Sequence, residues 1–221
     1  MSERIASGRL SAWLLIVVTM TALNYGAQAS GGTETSGDEL FQWSFAVSSA
    51  ASIAILLGLT LLIARRRPDL RALRRPRSWG SPLTIAVGGV IAALVVGSLV
   101  TTLGGDPGDE QGILSGGWQS GHLAAFVASV SMLAILTPVT EELLIRGVGF
   151  GLLRPLGAHW AIFLSAFAWA LMHGLFTGFP IILALGLGLG YARERAGSVV
   201  PGILIHGFYN GLAIGLSFTL H

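Results

Sequence analysis

Seven long apolar segments restrict the fold of this chain more than any other feature of its sequence. A helix needs about 20 residues to cross the hydrocarbon core of a bilayer. An α-helix pairs its backbone amides internally, as lipid requires, and unbroken apolar runs of this length are typical of such helices. The segments are Leu10–Ala29, Phe41–Ala64, Pro82–Leu103, His122–Leu153, Ala158–His173, Phe179–Ala192 and Val199–Leu220. The sequence therefore predicts an all-α fold, a polytopic transmembrane helical bundle of about seven spans.

The composition agrees with an integral membrane protein. Hydrophobic residues make up 52% of the chain and charged residues only 11%, whereas a soluble domain has about 25% charged residues. The absence of cysteine excludes disulfides, thiol nucleophiles and cysteine metal ligands. The chain also lacks lysine but is rich in arginine, glycine and alanine, a bias typical of a GC-rich, bacterial genome. Together with the apolar composition, it predicts the bacterial plasma membrane as the location.

The arginines predict the orientation of the bundle. Under the positive-inside rule, they place the N-terminus in the cytoplasm and the C-terminus outside. The long basic loop is a cytoplasmic anchor that could also contact anionic lipid headgroups, and nothing in it suggests nucleic-acid binding. One side carries Arg4, Arg9, the loop arginines Arg65, Arg66, Arg67, Arg71, Arg74, Arg75 and Arg77, then Arg154, Arg193 and Arg195; the opposite loops carry Glu34, Asp38, Glu39, Asp106, Asp109 and Glu110.

The N-terminal segment allows a second interpretation. Arg4 and Arg9, a short apolar core and the run Ala27-Gln28-Ala29 resemble a secretory signal with its cleavage site. The apolar run is longer than the core of a typical signal peptide, which favours a retained helix.

The fourth span is too long for a straight crossing. Its 32 residues, 122 to 153, would reach roughly 48 Å as a helix, against a hydrocarbon core of about 30 Å. The span must therefore tilt, kink or break. Pro138 has no amide hydrogen and clashes with the carbonyl of Ala134, which predicts an irregularity near Thr137-Pro138. Alternatively, Thr137 caps a helix that begins at Pro138.

A pair of glutamates follows this irregularity. Glu142 and Arg146 are spaced i, i+4 and can form an ion pair along the helix. Glu141 points about 100° away and lacks that partner, so it is the carboxylate suited to accept a proton from water. The alternative for the Glu142–Arg146 pair is a purely structural cluster. Carboxylates inside a membrane are costly and usually mark functional sites.

Two further polar pairs lie on later apolar segments, Trp169 with His173 and His206 with Asn210, each spaced i, i+4. A lone histidine in a bundle is more often a satisfied core residue, and Trp169 is either a cavity wall or a core or lipid-facing aromatic. Imidazole can bind water, and the amide of Asn210 can donate to an oxyanion. Together the motifs predict a polar, water-filled intramembrane cavity that opens to the arginine-rich side. We predict Glu141, His173, His206 and Asn210 as its catalytic residues and Glu142, Arg146 and Trp169 as supporting residues.

Glycines of the sixth span predict close helix packing. Gly186, Gly188 and Gly190 recur at i, i+2 and i+4, a spacing that lets a neighbouring helix approach. No strand precedes them, which argues against a phosphate-binding loop.

The three motifs, in order, resemble those of the CPBP family of intramembrane proteases, named for CAAX-processing and bacteriocin-processing and also called the type II CAAX prenyl protease family. The family signatures are Glu-Glu-x-x-x-Arg, aromatic-x-x-x-His and His-x-x-x-Asn, and the resemblance covers about 122–216. It divides the chain into N-terminal transmembrane helices with the basic loop, 1–121, and a catalytic core, 122–221. Trp169 departs from the family, in which phenylalanine is commoner.

The resemblance implies an intramembrane endopeptidase that cleaves a membrane-associated peptide or protein. It implies Glu141 as the base that activates water, His173 as a residue that holds the water, and His206 with Asn210 as stabilisers of the tetrahedral intermediate. The family has also been labelled metalloprotease, and Glu141, His173 and His206 could form a zinc site. Asn210 is a poor zinc ligand and a good oxyanion donor, which favours a mechanism with no metal and no cofactor.

Two other function classes fit parts of the pattern. A non-catalytic scaffold or immunity protein would keep the polar cluster for packing or partner binding. A proton-coupled transporter would use the same glutamates and histidines as a relay, although the two halves of the chain show no inverted repeat. A bacterium usually lacks prenylated substrates, so a membrane-bound peptide or a protein tail is the expected substrate. The sequence specifies neither the individual substrate nor the oligomeric state.

Overall fold

The computed structural model describes residues 2–30, 38–105 and 118–217, and within these ranges every regular element is helical. Four of the acidic loop residues used to predict the orientation, Glu34, Asp106, Asp109 and Glu110, lie outside the described residues. The helices are α1 (Ser2–Ala29), α2 (Trp43–Ile63), α3 (Pro68–Arg71), α4 (Gly80–Thr102), α5 (123–153, in five consecutive helical pieces), α6 (Ala158–Met172), α7 (Phe179–Ala196) and α8 (Val200–Ser217).

The seven predicted spans correspond to α1, α2 and α4 to α8, which confirms the all-α transmembrane fold class. Within the described ranges, four stretches are long and apolar enough to cross a membrane: Ser7–Ala29, Trp43–Ile63, Gly80–Thr102 and Ser120–Leu156. Ala158–Met172 and Val200–Leu216 are shorter apolar helices. The short helix α3 lies in the basic loop between α2 and α4.

The loops rich in arginine meet at one end of the bundle, called here the basic end. Arg9 donates from Nη2 to the carbonyl of Arg65 at 3.0 Å, and Arg74 donates from Nε to the carbonyl of Gly197 at 2.7 Å. Arg154 pairs with Glu194 at 2.7 Å. These bonds join the start of α1, the basic loop and the ends of α5 and α7. The arginine-rich segments that the sequence places on one side therefore lie together in the bundle.

The predicted irregularity in α5 is present, but it is a π-helical turn within a continuous helix. Met132–Leu136 is π-helical, Thr137–Glu142 is α-helical and Leu143–Gly149 is again π-helical. In a π turn the carbonyl of Leu133 would accept from residue 138, and Pro138 has no amide hydrogen to donate. Thr137 has helical dihedral angles (φ −60°, ψ −52°) and therefore does not cap a new helix.

The glycines predicted to allow close packing do so between α4 and α7. A Cβ atom added to Gly89 would lie 2.8 Å from the Cα of Gly188, so the two backbones touch at this point. Gly186 faces Trp169 and Arg146, and Gly190 faces Ile162. The prediction of close approach at these glycines is confirmed.

We expect Gly89→Ala to destabilise the bundle, because its new methyl group would overlap the α7 backbone. Overpacking of this kind typically costs about 1–3 kcal/mol. Gly88→Ala is the matched control, since a Cβ atom there meets nothing within 4 Å and alanine is the better helix former. Thermal unfolding of both variants in detergent measures the difference. Equal melting temperatures would show that α4 and α7 do not pack at Gly89.

Candidate active site

The structure brings the predicted site residues from three helices to one cavity of about 550 Å³. α5 contributes Glu141, the end of α6 contributes Trp169 and His173, and α8 contributes His206 and Asn210. Glu142 and Arg146 do not line this cavity and lie fully buried beside it. α5 is π-helical on both sides of Thr137–Glu142, the piece that carries Glu141.

Trp169 is hydrogen-bonded to Glu141. Its indole Nε1 donates to Oε2 of Glu141 at 2.6 Å, and the tryptophan is only 1% exposed. The side chain of Glu141 keeps 18% exposure, so this carboxylate reaches the cavity. The sequence interpretation treated Trp169 as a wall or a core aromatic and missed this bond. The replacement of phenylalanine by tryptophan was the available signal, because a buried indole N–H usually finds an acceptor.

His206 lies between the two glutamates. Its Nε2 is 3.9 Å from Oε2 of Glu141, and its Nδ1 is 3.4 Å from Oε1 of Glu142. The imidazole is almost fully buried. A neutral imidazole carries its hydrogen on one of the two ring nitrogens, and Nε2 is the nitrogen on the side of Glu141. His206 can therefore present a donor to negative charge in the cavity.

His173 is held in one tautomer by its own helix end. Its Nδ1 is 2.8 Å from the carbonyl oxygen of Trp169. A carbonyl oxygen only accepts hydrogen bonds, so the proton resides on Nδ1 and the lone pair on Nε2 is left for another donor. The rings of Trp169 and His173 meet edge to face, with centroids 4.9 Å apart. His173 can thus accept a hydrogen bond from water in the cavity.

A buried ion pair lies next to the cavity and contacts its residues. Arg146 donates from Nη1 to Oε1 of Glu142 at 2.9 Å, and both side chains are 0% exposed. The other terminal nitrogen of Arg146 donates to the carbonyl of Gly186 at 3.2 Å. Its guanidinium also lies 4.2 Å from the ring centroid of Trp169, close enough for a cation–π contact. The predicted i, i+4 pair is therefore confirmed, and it underlies the indole that holds Glu141.

Asn210 makes a contact that the sequence did not predict. Its Nδ2 donates to the carbonyl of Leu133 at 3.0 Å, the acceptor in the π turn that Pro138 leaves without a backbone donor. An amide nitrogen carries two hydrogens. One hydrogen of Asn210 therefore stabilises the irregular turn of α5, and the second is available to the cavity.

The cavity extends away from the basic end, contrary to the predicted opening on that side. Its lining includes Asn24 near the end of α1, His173 and Leu175 after α6, and Ile214 late in α8. These positions lie at the ends of their helices opposite the arginine-rich loops. The basic half is filled instead, because Arg193 is buried and donates from Nε to the carbonyl of Arg146 at 2.9 Å.

The side chains of the cavity do not assemble a zinc site as they are placed. Within the part of the chain that the structure describes, no three histidine, aspartate or glutamate residues group closely enough to hold a metal ion. Oε2 of Glu141 already accepts the indole hydrogen of Trp169. A catalytic zinc usually takes three protein ligands. The geometry therefore gives no step that would pass through a metal.

A comparison with known protein families finds a match that covers the C-terminal part of the chain. The family model described as type II CAAX prenyl endopeptidase Rce1-like matches residues 122–212. This segment holds α5 to α7, most of α8 and every residue of the three motifs. No curated protein and no solved structure matches the chain. The segment is therefore similar to the CAAX protease-like family that the motifs resemble.

This similarity favours an activity of the CAAX-protease type. Together with the long apolar helices, it identifies an integral membrane protein.

Proposed function

We propose that this protein is an intramembrane endopeptidase in which Glu141 activates the water that cleaves the peptide bond. One observation carries the proposal: a carboxylate, two imidazoles and an amide from three helices line the same cavity. The catalytic residues proposed are Glu141, His173, His206 and Asn210. Glu142, Arg146 and Trp169 position them. In this account residues 122–221 perform the chemistry.

The proposed reaction uses Glu141 as general base and then as general acid. Glu141 removes a proton from water while Nε2 of His173 accepts the other hydrogen, and the water oxygen bonds to the carbonyl carbon of the substrate. His206 and the second amide hydrogen of Asn210 donate to the oxyanion that forms. The carbon–nitrogen bond then breaks, and the proton held by Glu141 passes to the leaving amine.

The donor set favours a mechanism without a metal or other cofactor. Asn210 supplies hydrogens, which suit an oxyanion and not a cation. The indole of Trp169 also donates to Glu141, and a donor bound to that oxygen competes with a metal ion for it. In this mechanism the carboxylate of Glu141 activates the water.

The side of the membrane from which the substrate enters follows from the arginines. The basic end has the character of a cytoplasmic face under the positive-inside rule, which places the N-terminus in the cytoplasm. The cavity extends toward the opposite end, so the substrate would reach Glu141 from the non-cytoplasmic half of a bacterial plasma membrane. The substrate is a membrane-bound peptide or protein segment.

Trp169→Phe should lower kcat and leave KM nearly unchanged, because phenylalanine keeps the ring but loses the N–H that orients Glu141. A hydrogen bond to a charged group contributes about 1.5–3 kcal/mol, so the expected loss is roughly 10- to 100-fold. Steady-state hydrolysis of an internally quenched apolar peptide measures it. Trp160→Phe on the same helix is the control, since Trp160 is 58% exposed. A Trp169→Phe enzyme with full kcat would remove the indole from the positioning of Glu141.

His206→Ala and Asn210→Ala test the proposed function through the oxyanion. Loss of one such donor typically lowers turnover about 10²- to 10³-fold, with little change in substrate binding. Asn210→Ala should also lower the melting temperature, because the Leu133 carbonyl loses its donor, a loss that costs about 1–3 kcal/mol. Peptide hydrolysis and thermal unfolding separate the two effects. Unchanged kcat with a raised KM in both variants would place these residues in substrate binding instead.

A further inference from the structure

The N-terminal helix α1 forms a wall of the candidate active site, although it lies outside the 122–212 family match. Met20, Asn24, Ala27 and Gln28 all line the cavity. Their spacing is i, i+4, i+7 and i+8, which is one continuous face of a helix. The cavity wall therefore includes a helix surface whose residues lie outside the three motifs.

Hydrogen bonds fix α1 against the turn that carries His173. Asn24 donates from Nδ2 to the carbonyl of Met172, and the hydroxyl of Tyr25 donates to the carbonyl of Leu175 at 3.1 Å. These carbonyls stand on either side of His173. Gly174 has φ +67°, and a Cβ atom there would lie 2.6 Å from the Cβ of Asn24. The turn therefore needs glycine both for its backbone and for the close contact with α1.

The other end of α1 is anchored in the protein core. Trp13 is 1% exposed and donates from Nε1 to the carbonyl of Leu144 at 3.1 Å. Its ring packs against Gly149, where a Cβ atom would lie 2.5 Å from the ring. Both acceptor and glycine belong to the second π turn of α5. A helix held at both ends in this way presents a fixed face to the cavity.

The chemistry of the cavity indicates what α1 contacts. Among the described residues that line it, none is arginine or lysine, and most side chains are apolar. A substrate carboxylate next to the cleaved bond would find no cation and would lie near Glu141. A volume of about 550 Å³ is in the range of pockets that enclose small ligands, roughly 300–1,000 Å³, and so has room for a substrate side chain.

We propose that the face Met20, Asn24, Ala27 and Gln28 of α1 selects the substrate, by contacting an uncharged, apolar side chain next to the scissile bond. This inference rests on the proposed protease function and deepens it. α1 acts as a specificity wall, while the residues of α5, α6 and α8 perform the hydrolysis. The size of the space beside Ala27 then sets the largest side chain that is accepted.

The chain has no cysteine, so single cysteines can be placed and modified selectively. Ala27→Cys is the test variant, and Ala22→Cys is the control because Ala22 is exposed and does not line the cavity. Each is treated with a neutral maleimide. Internally quenched apolar peptides, identical except for Ala, Leu, Phe or Asp before the scissile bond, are the probes.

Modified Ala27→Cys should lose kcat/KM for the Phe peptide about tenfold more than for the Ala peptide, as expected when a pocket is made smaller. Modified Ala22→Cys should keep the preference of the unmodified protein, and the Asp peptide should be the poorest substrate throughout. Equal losses for all peptides, or efficient cleavage of the Asp peptide, would overturn the specificity wall.

A second readout does not depend on hydrolysis. In the Glu141→Gln background, the Phe peptide should slow the maleimide reaction of Ala27→Cys and leave that of Ala22→Cys unchanged. Protection without cleavage by the wild type would refute the protease and retain the wall. Cleavage by the wild type without protection would retain the protease and refute the wall.

Discussion

Glu141→Gln should abolish peptide hydrolysis and leave the fold intact. The glutamine carbonyl can still accept the indole hydrogen of Trp169, but an amide cannot take a proton from water. Loss of a general base typically costs about 10²- to 10⁴-fold in rate. We expect kcat to fall at least that far, with KM and the melting temperature close to wild type.

Glu194→Gln is the matched control for this substitution. Glu194 pairs with Arg154 at the surface of the basic end, far from the cavity in the structure, so its loss should leave hydrolysis unchanged. A fully active Glu141→Gln protein would exclude the glutamate mechanism. A wild type that cleaves no peptide, with unaltered partner binding in Glu141→Gln, would favour the scaffold or immunity protein.

Arg146→Ala should have the largest effect on stability. It removes the partner of Glu142, whose side chain is 0% exposed, and also the bond to the Gly186 carbonyl and the cation–π contact with Trp169. Breaking a buried pair by removing one partner costs about 3–5 kcal/mol, because the remaining charge stays desolvated. The free energy of unfolding in detergent measures this loss, and poor expression should accompany it.

The surface pair Arg154–Glu194 supplies the control for this prediction. Its side chains are 48% and 34% exposed, and exposed pairs contribute only about 0–1 kcal/mol, so Arg154→Ala should be nearly neutral. Glu142→Leu combined with Arg146→Met should be more stable than Arg146→Ala alone, because no buried charge is left unpaired. An Arg146→Ala protein as stable as wild type but inactive would place Arg146 in the chemistry.

The helices and their order could be predicted from the sequence, because each helix depends on residues that are close together along the chain. The apolar runs set the seven spans, and the arginine loops set which ends lie together, as the bond from Arg74 to Gly197 shows. The Glu142–Arg146 pair was also predictable, since both residues lie on one helix at a fixed spacing. Pro138 located the irregular turn for the same reason.

Contacts between helices were not predictable in this way. The bond from Trp169 to Glu141 joins residues 28 positions apart, and it depends on how α5 and α6 are rotated about their axes. The use of Asn210 to satisfy Leu133 depends on the π turn, and an α-helical turn would offer a different carbonyl. α1 carries no polar motif of its own, so no sequence pattern indicated that it lines the cavity.

The sequence interpretation predicted the wrong end of the bundle for the opening of the cavity, and the reason is physical. The prediction placed the opening at the arginine-rich end, but Arg193 is buried there and bonded to the backbone of Arg146. An arginine that folds back into the bundle fills space. The open volume is therefore found at the opposite end, where the helix ends carry Asn24 and Leu175.

The central claim is that a carboxylate, and not a metal, activates the water. The most direct test uses purified, chelator-treated protein in liposomes and measures its cleavage of the quenched peptide. The metal content is measured on the same sample. We expect hydrolysis at the untreated rate, a single cut site by mass spectrometry and no stoichiometric zinc. Zinc bound one-to-one, with activity lost on its removal and restored on its return, would exclude the carboxylate mechanism.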